Sequence, residues 1–141
     1  MVRFFQKASL IVDNSIGLVY LQFRTFREDI PYPNYWGLFD GRMNVGENAQ
    51  QCITRMAEEK IGYCLSNPQY LGYFPFVSPD GVSYNTHVFF ETEPELLFGG
   101  LRLKPKEGKG KFFTHDEVDK TELAFNGNRI LRDYYKKMYG W

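Results

Sequence analysis

Hydrophobic and polar residues follow two rhythms along this chain. From about Arg3 to Val12 and from Gly17 to Phe26, β-branched and aromatic residues dominate, and the turn-prone Asp13-Asn14-Ser15 separates the runs. Such runs predict a pair of strands that starts a sheet. The rhythm then changes. Ala49, Cys52, Ile53, Met56 and Ala57 recur at three and four, forming one apolar stripe roughly 140° wide, as on a helix facing a core. Gln69 to Val77 and Ser83 to Thr92 return to strand-like composition, and Ser78-Pro79-Asp80-Gly81 between them predicts a hairpin turn. Thr114-His115-Asp116-Glu117 has the S/T-x-x-E form of a capping box, which starts a short helical turn. A closing helix follows, with Ile130, Leu131, Tyr134, Tyr135 and Met138 on its apolar face and Asn126 as its expected N-cap. Strands on both sides of one amphipathic helix, plus a C-terminal helix, predict an α/β/α sandwich with a mixed β-sheet.

Composition narrows the partners. The chain has 141 residues and no Pro- or Ser-rich linker, so residues 1–141 are expected to form one domain. Its 17 Lys and Arg balance 17 Asp and Glu, so no global basic field recommends a nucleic acid polymer or an anionic membrane, and a small ligand is the better expectation. Thirteen Phe and ten Tyr suit both a compact core and ring stacking in a pocket. Two cysteines, Cys52 and Cys64, give neither a disulfide framework nor zinc spacing, and both read as reduced core thiols. The first residues lack the pattern of a secretory signal, and no apolar run approaches membrane-spanning length, so a cytoplasmic location is the default expectation. His87 has no partner at metal spacing and reads as a packed or surface residue.

The most informative stretch is Gly41 to Tyr63, GRMNVGENAQQCITRMAEEKIGY. It resembles the Nudix box, G-x5-E-x7-R-E-U-x-E-E-x-G-U with U apolar, the signature of hydrolases that split nucleoside diphosphates linked to another moiety. Gly41, Glu47, Arg55, Ala57, Glu59 and Gly62 fall on that frame, and Tyr63 fits it loosely. Met56 and Lys60 stand where two of its carboxylates belong. In the family those carboxylates lie at i, i+3 and i+4 on one helix face and hold divalent cations against a diphosphate. Here the triplet is Met56, Glu59, Lys60, and a cation at position 60 would repel a bound metal. Met56 also reads simply as an extension of the apolar stripe. The Glu47 and Arg55 pair, which in the family braces the loop against the helix, is kept.

The resemblance implies the Nudix fold and further site residues. The arginine ending the second strand and the aromatic loop before the box are nucleotide contacts in similar proteins, which nominates Arg24, Arg27 and Tyr35. Trp36 reads instead as a core anchor. Asp40-Gly41 replaces the family's Gly-Gly pair, whose backbone carbonyl is a metal ligand, so Gly41 or Asp40 is the implied carbonyl donor. Glu107, in the Glu107-Gly108 pair before an aromatic strand, matches a glutamate that reaches the metal or acts as base, although a solvated charged loop reads the same way. Asn126 is also a candidate for base recognition.

Two readings follow. In the first, the protein is a Nudix-type hydrolase of a nucleoside diphosphate-linked or triphosphate small molecule. Glu59, Glu107 and a carbonyl at Gly41 would hold Mg²⁺ or Mn²⁺, with fewer ions than a full box. In the second, it is a catalytically inactive nucleotide- or phosphate-binding domain of the same fold, in which the Lys60 ammonium takes over from the missing metal. Nothing in the sequence marks a protein interface, and a homodimer is left open.

Overall fold

The computed structural model describes residues 3–24, 31–93 and 109–141. The sheet is organised around β1 (Phe4–Asp13). One edge of β1 pairs in parallel with β6 (Ser83–Thr92) along its whole length, from Phe4 opposite Ser83 to Asp13 opposite Thr92. The other edge is shared. Antiparallel β4 (Phe39–Arg42) takes Lys7 to Leu10, and β2 (Val19–Phe23) pairs with β1 at Asp13 opposite Val19. β2 then pairs with β3 (Trp36–Gly37) and β7 (Lys109–Phe113), while β5 (Gln69–Val77) closes the far side against β6.

The strand pair expected at the start of the chain is therefore not a hairpin ladder. Its turn explains why. The Asp13 carboxylate accepts from the N–H groups of Ser15 and Gly17, and the Asn14 amide oxygen accepts from those of Ile16 and Leu18. Side chains thus take the donors that a ladder would use, and Ser15 and Gly17 adopt φ of 77° and 93°. β2 pairs with β1 only next to this turn, and β4 takes the same edge of β1 further along. The β5–β6 hairpin does form, closed by Ser78 to Val82 with Gly81 at φ 85°.

Alternation along β1 builds two cores. Ala8, Leu10 and Val12 face α1 (Ala49–Ile61) and pack with Phe39, Ile53 and Met56, whereas Ile11 faces the other way with Val88, Phe90 and Phe113. The second core is covered by α2 (His115–Asp119) and α3 (Gly127–Tyr139), through Val118, Ile130, Leu131 and Tyr134. A mixed sheet lies between two helical layers, as the apolar patterning predicts. The Thr114 capping box forms at α2. An unanticipated one starts α1, where Asn48 and Gln51 bond each other's backbone N–H at 2.8 and 2.9 Å.

Two buried carboxylates fasten the helical layers to the sheet. Asp13 accepts from the hydroxyls of Tyr134 at 2.5 Å and Tyr139 at 2.7 Å, tying α3 to the end of β1. Glu91 accepts from the Tyr63 hydroxyl and from the N–H groups of Ser66 and Asn67, tying down the chain that leaves α1. Cys52 is buried, but Cys64 is exposed, which corrects its reading as a core thiol. The helix ends at Gly62 with φ 60°, and Tyr63 takes the inward position beyond it, leaving Cys64 to solvent.

Candidate functional site

The loop from Asp40 to Glu47 meets α1 at two places. At the first, Arg55 donates through Nε to Glu47 Oε2 at 2.8 Å and through Nη2 to Glu47 Oε1 at 3.0 Å. Nη2 also reaches the Arg42 carbonyl at 3.2 Å, and the Asn44 N–H bonds Glu47 Oε1 at 3.0 Å. These hydrogen bonds, first from Arg55 and then from the Asn44 backbone, hold the Glu47 carboxyl down at about 2. Glu47 and Arg55 therefore brace the loop to the helix.

At the second place the carboxylate face has been exchanged. Met56 is 1% exposed, and its sulfur lies beneath Gly41, where an added Cβ would stand 3.5 Å from it. The Lys60 ammonium donates to the backbone carbonyl of Asp40. The Gly41 and Arg42 carbonyls face the Cys52 thiol, with Sγ at 3.7 and 3.6 Å. Burial, and then the Glu47 charge, push that thiol up to about 11, so it stays a protonated donor. Glu59 keeps its carboxylate, but its side chain is 61% exposed and Arg55 Nη1 reaches it at 3.3 Å.

Beside this floor lies a cleft of about 220 Å³ lined by cations. Lys7, buried on β1, places Nζ 2.7 Å from Asp40 Oδ2, and Arg24 Nη1 lies 3.7 Å from Asp40 Oδ1. Burial opposes the charge on Asp40, but Lys7, Lys60 and Arg24 outweigh it and hold the carboxyl below its ordinary range. Arg24 also bonds the Pro31 carbonyl through Nε and Nη2 at 3.1 and 3.0 Å, which fixes its plane. An aromatic rim covers these cations. Phe125 stands 3.5 Å from Lys7 Nζ and 5.1 Å from Arg24, both measured to the ring centroid, and it packs on Tyr84 and Tyr32. Tyr32 and Phe125 hold φ of 53° and 55°. Backbone strain of this kind gathers at ligand sites.

The structure thus brings together Arg24, Lys60, Asp40 and Gly41 from the residues singled out in the sequence. Tyr35 stands further out, edge-on to Tyr32 with its ring centroid 5.4 Å away. Asn126 occupies the N-cap position of α3, but its side chain makes no cap bond there. Among the described residues its buried Nδ2 has no hydrogen-bond partner, and it lies beside a water-sized space shared with Lys7, Ser9, Asp40 and Thr86. Its expected capping role is thus not realised, because φ −105° and ψ 32° are not the extended conformation that aims a cap side chain along the helix. His87 bonds the Tyr70 hydroxyl at 2.9 Å on the β5–β6 surface. Arg27 and Glu107 lie outside the described residues. Lys7, Arg42, Tyr84 and Phe125 line the cleft without having been singled out. A lysine inside the apolar run Phe4 to Val12 is the signal that could have found the first.

Among the described residues the donor set does not fit a divalent ion. Magnesium and manganese take several oxygen ligands. Among the described residues no three His, Cys, Asp or Glu side chains gather to hold one. Glu59 is engaged by Arg55, and the Asp40 carbonyl already receives an ammonium.

Comparison with known proteins agrees with the architecture. The NUDIX domain family matches residues 4–134. The uncharacterized Nudix hydrolase YvcI of Bacillus subtilis (strain 168) is 27% identical over 111 residues, covering 78% of this chain and 70% of its own length. Among solved structures, the NUDIX domain of Shewanella oneidensis NrtR, complexed with ADP ribose, superposes with a TM-score of 0.76 at 16% identity, covering 98% of this chain and 89% of that one. A MutT protein from Methanosarcina mazei Go1 superposes with a TM-score of 0.78 at 12% identity, covering 98% and 97%. At such identities the superpositions show a shared fold.

Proposed function

The chain belongs to the Nudix family, and from that premise we propose that its cleft binds a nucleotide-derived phosphate compound without cleaving it. The observation that carries this reading is the pairing of a cationic floor with an aromatic rim. Lys7, Arg24 and Lys60 converge on Asp40, and Phe125, packed on Tyr84 and Tyr32, stands over Lys7 and Arg24. Guanidinium and ammonium groups suit phosphate oxygens, and aromatic faces suit a base. The ADP ribose bound by the Shewanella oneidensis domain, which shares this fold, makes that compound a sensible first probe. A triphosphate and GDP-mannose complete the panel.

Binding is favoured over hydrolysis by the state of the box. Of the three helix carboxylates that the family frame implies, Glu59 alone remains, and it is paired with Arg55. The competing reading, a pyrophosphohydrolase with a reduced Mg²⁺ or Mn²⁺ site at Glu59, Glu107 and the Gly41 carbonyl, draws its support from the family. The proposal carries with it a cytoplasmic location, a small-molecule partner rather than a nucleic acid polymer, and a single domain over residues 1–141, with a homodimer left open. No helix among the described residues is long and apolar enough to cross a membrane.

Calorimetric titration with the three probes, alongside product analysis in Mg²⁺ and Mn²⁺, tests the choice. Saturable binding with no product supports binding. Turnover that disappears in both Glu59→Gln and Glu107→Gln would select the hydrolase.

A further inference from the structure

Resting on that binding reading, we infer that the Lys60 ammonium is a built-in cation at the position of the family's metal, so that phosphate binding in this protein is independent of divalent ions. Lys60 stands one turn beyond Met56 on α1, and these two residues fill the positions where the box calls for carboxylates. The exchange of Glu for Lys changes the local charge by about two units, which turns a preference for cations into one for anions. The geometry completes the exchange. The Lys60 ammonium donates to the Asp40 carbonyl, one of the two backbone oxygens that the family frame offers to a metal. An ammonium has three donors, and among the described residues only the Asp40 carbonyl takes one, which leaves two for a ligand.

The neighbouring groups close the alternative. The Gly41 and Arg42 carbonyls face the Cys52 thiol, and the Arg42 carbonyl also receives Arg55 Nη2. A divalent ion against the Asp40 carbonyl would sit at contact distance from the ammonium, with strong repulsion. Lys7 and Arg24, both on the Asp40 carboxylate, extend the positive field into the cleft. Together the three cations supply the charge neutralisation that a diphosphate otherwise takes from metal.

The test uses the full chain, with inorganic pyrophosphate and ADP-ribose as calorimetric probes, titrated in EDTA and in Mg²⁺. Lys60 is exposed, so its variants should fold, and circular dichroism checks this. Wild type is expected to bind equally in both buffers and to leave the signal of free Mn²⁺ unchanged in electron paramagnetic resonance. Lys60→Met is expected to bind roughly tenfold more weakly or worse in EDTA. Lys60→Glu is expected to lose binding in EDTA and to recover it with Mn²⁺. Wild-type binding abolished by EDTA, Mn²⁺ uptake by the wild type, or either variant binding like wild type in EDTA would overturn the inference while leaving the binding function standing. Absence of binding by the wild type in every buffer would overturn both.

Discussion

The two contacts between the Asp40–Glu47 loop and α1 use opposite chemistry. Glu47, Arg55 and the Arg42 carbonyl form a charge-assisted brace with three hydrogen bonds between 2.8 and 3.2 Å. On the adjoining face of the helix, the contact is a buried thioether and an ammonium on a carbonyl. The brace shapes the loop whatever the loop holds. The floor beneath Asp40 and Gly41 decides what can be held. On the proposed reading, the chain separates two properties that a full box combines, the scaffold of the site and its affinity for metal.

The sharpest way to break this comparison is to restore one carboxylate to the floor. Met56→Glu places an ionisable group at a position 1% exposed. It should lower stability by about 3 kcal/mol or more, read from the urea midpoint. A near-neutral effect would mean that the floor still has room for a charge, contrary to the packing of Met56 against Gly41. Arg55→Ala attacks the brace instead and should lower stability by about 1–2 kcal/mol. It should also loosen the loop, measured as faster hydrogen exchange at Asn44.

Acid titration sharpens the brace alone. The Glu47 carboxyl is held at about 2 in the folded protein against an ordinary 4.5. A depressed carboxyl contributes stability that is fully present above its unfolded value and lost as pH falls through its folded value. Wild type should therefore exceed Glu47→Gln in thermal midpoint at pH 6, and the gap should narrow between pH 4.5 and 2. A gap that stays constant across that range would remove the Glu47 charge from the account. The smallest effect is expected from Glu59→Gln. Its side chain is 61% exposed and its pair with Arg55 is an i,i+4 surface contact, so the change should be below about 0.5 kcal/mol.

The same division governs how much the sequence reveals. Helix α1, its apolar stripe, its Gly62 terminus, the β5–β6 hairpin and the Thr114 capping box are all legible because each rests on local periodicity or turn chemistry. The pairing of β1 with β4 and β6 is not legible, because long-range partners leave no local mark. The Asp13 and Asn14 side chains that divert β2 look, as sequence, like any turn. In the site, Glu47, Arg55, Met56 and Lys60 follow from a fixed frame along one loop and the helix after it. Lys7 and Phe125 come from opposite ends of the chain and meet only in the fold, at 3.5 Å. Asn126 has an ambiguous signal, since a residue before a helix serves equally as cap or as ligand donor, and only the conformation there separates the two.

The central claim, that this cleft binds a nucleotide diphosphate and leaves it whole, is tested most directly by phosphorus NMR of ADP-ribose mixed with stoichiometric protein, first in EDTA and then with excess Mg²⁺ or Mn²⁺. The account predicts diphosphate resonances that shift or broaden in EDTA and persist after Mg²⁺ is added, with no monophosphate signal appearing. Resonances unchanged in EDTA, followed by monophosphate accumulating once metal is present, would contradict it and identify a metal-dependent hydrolase.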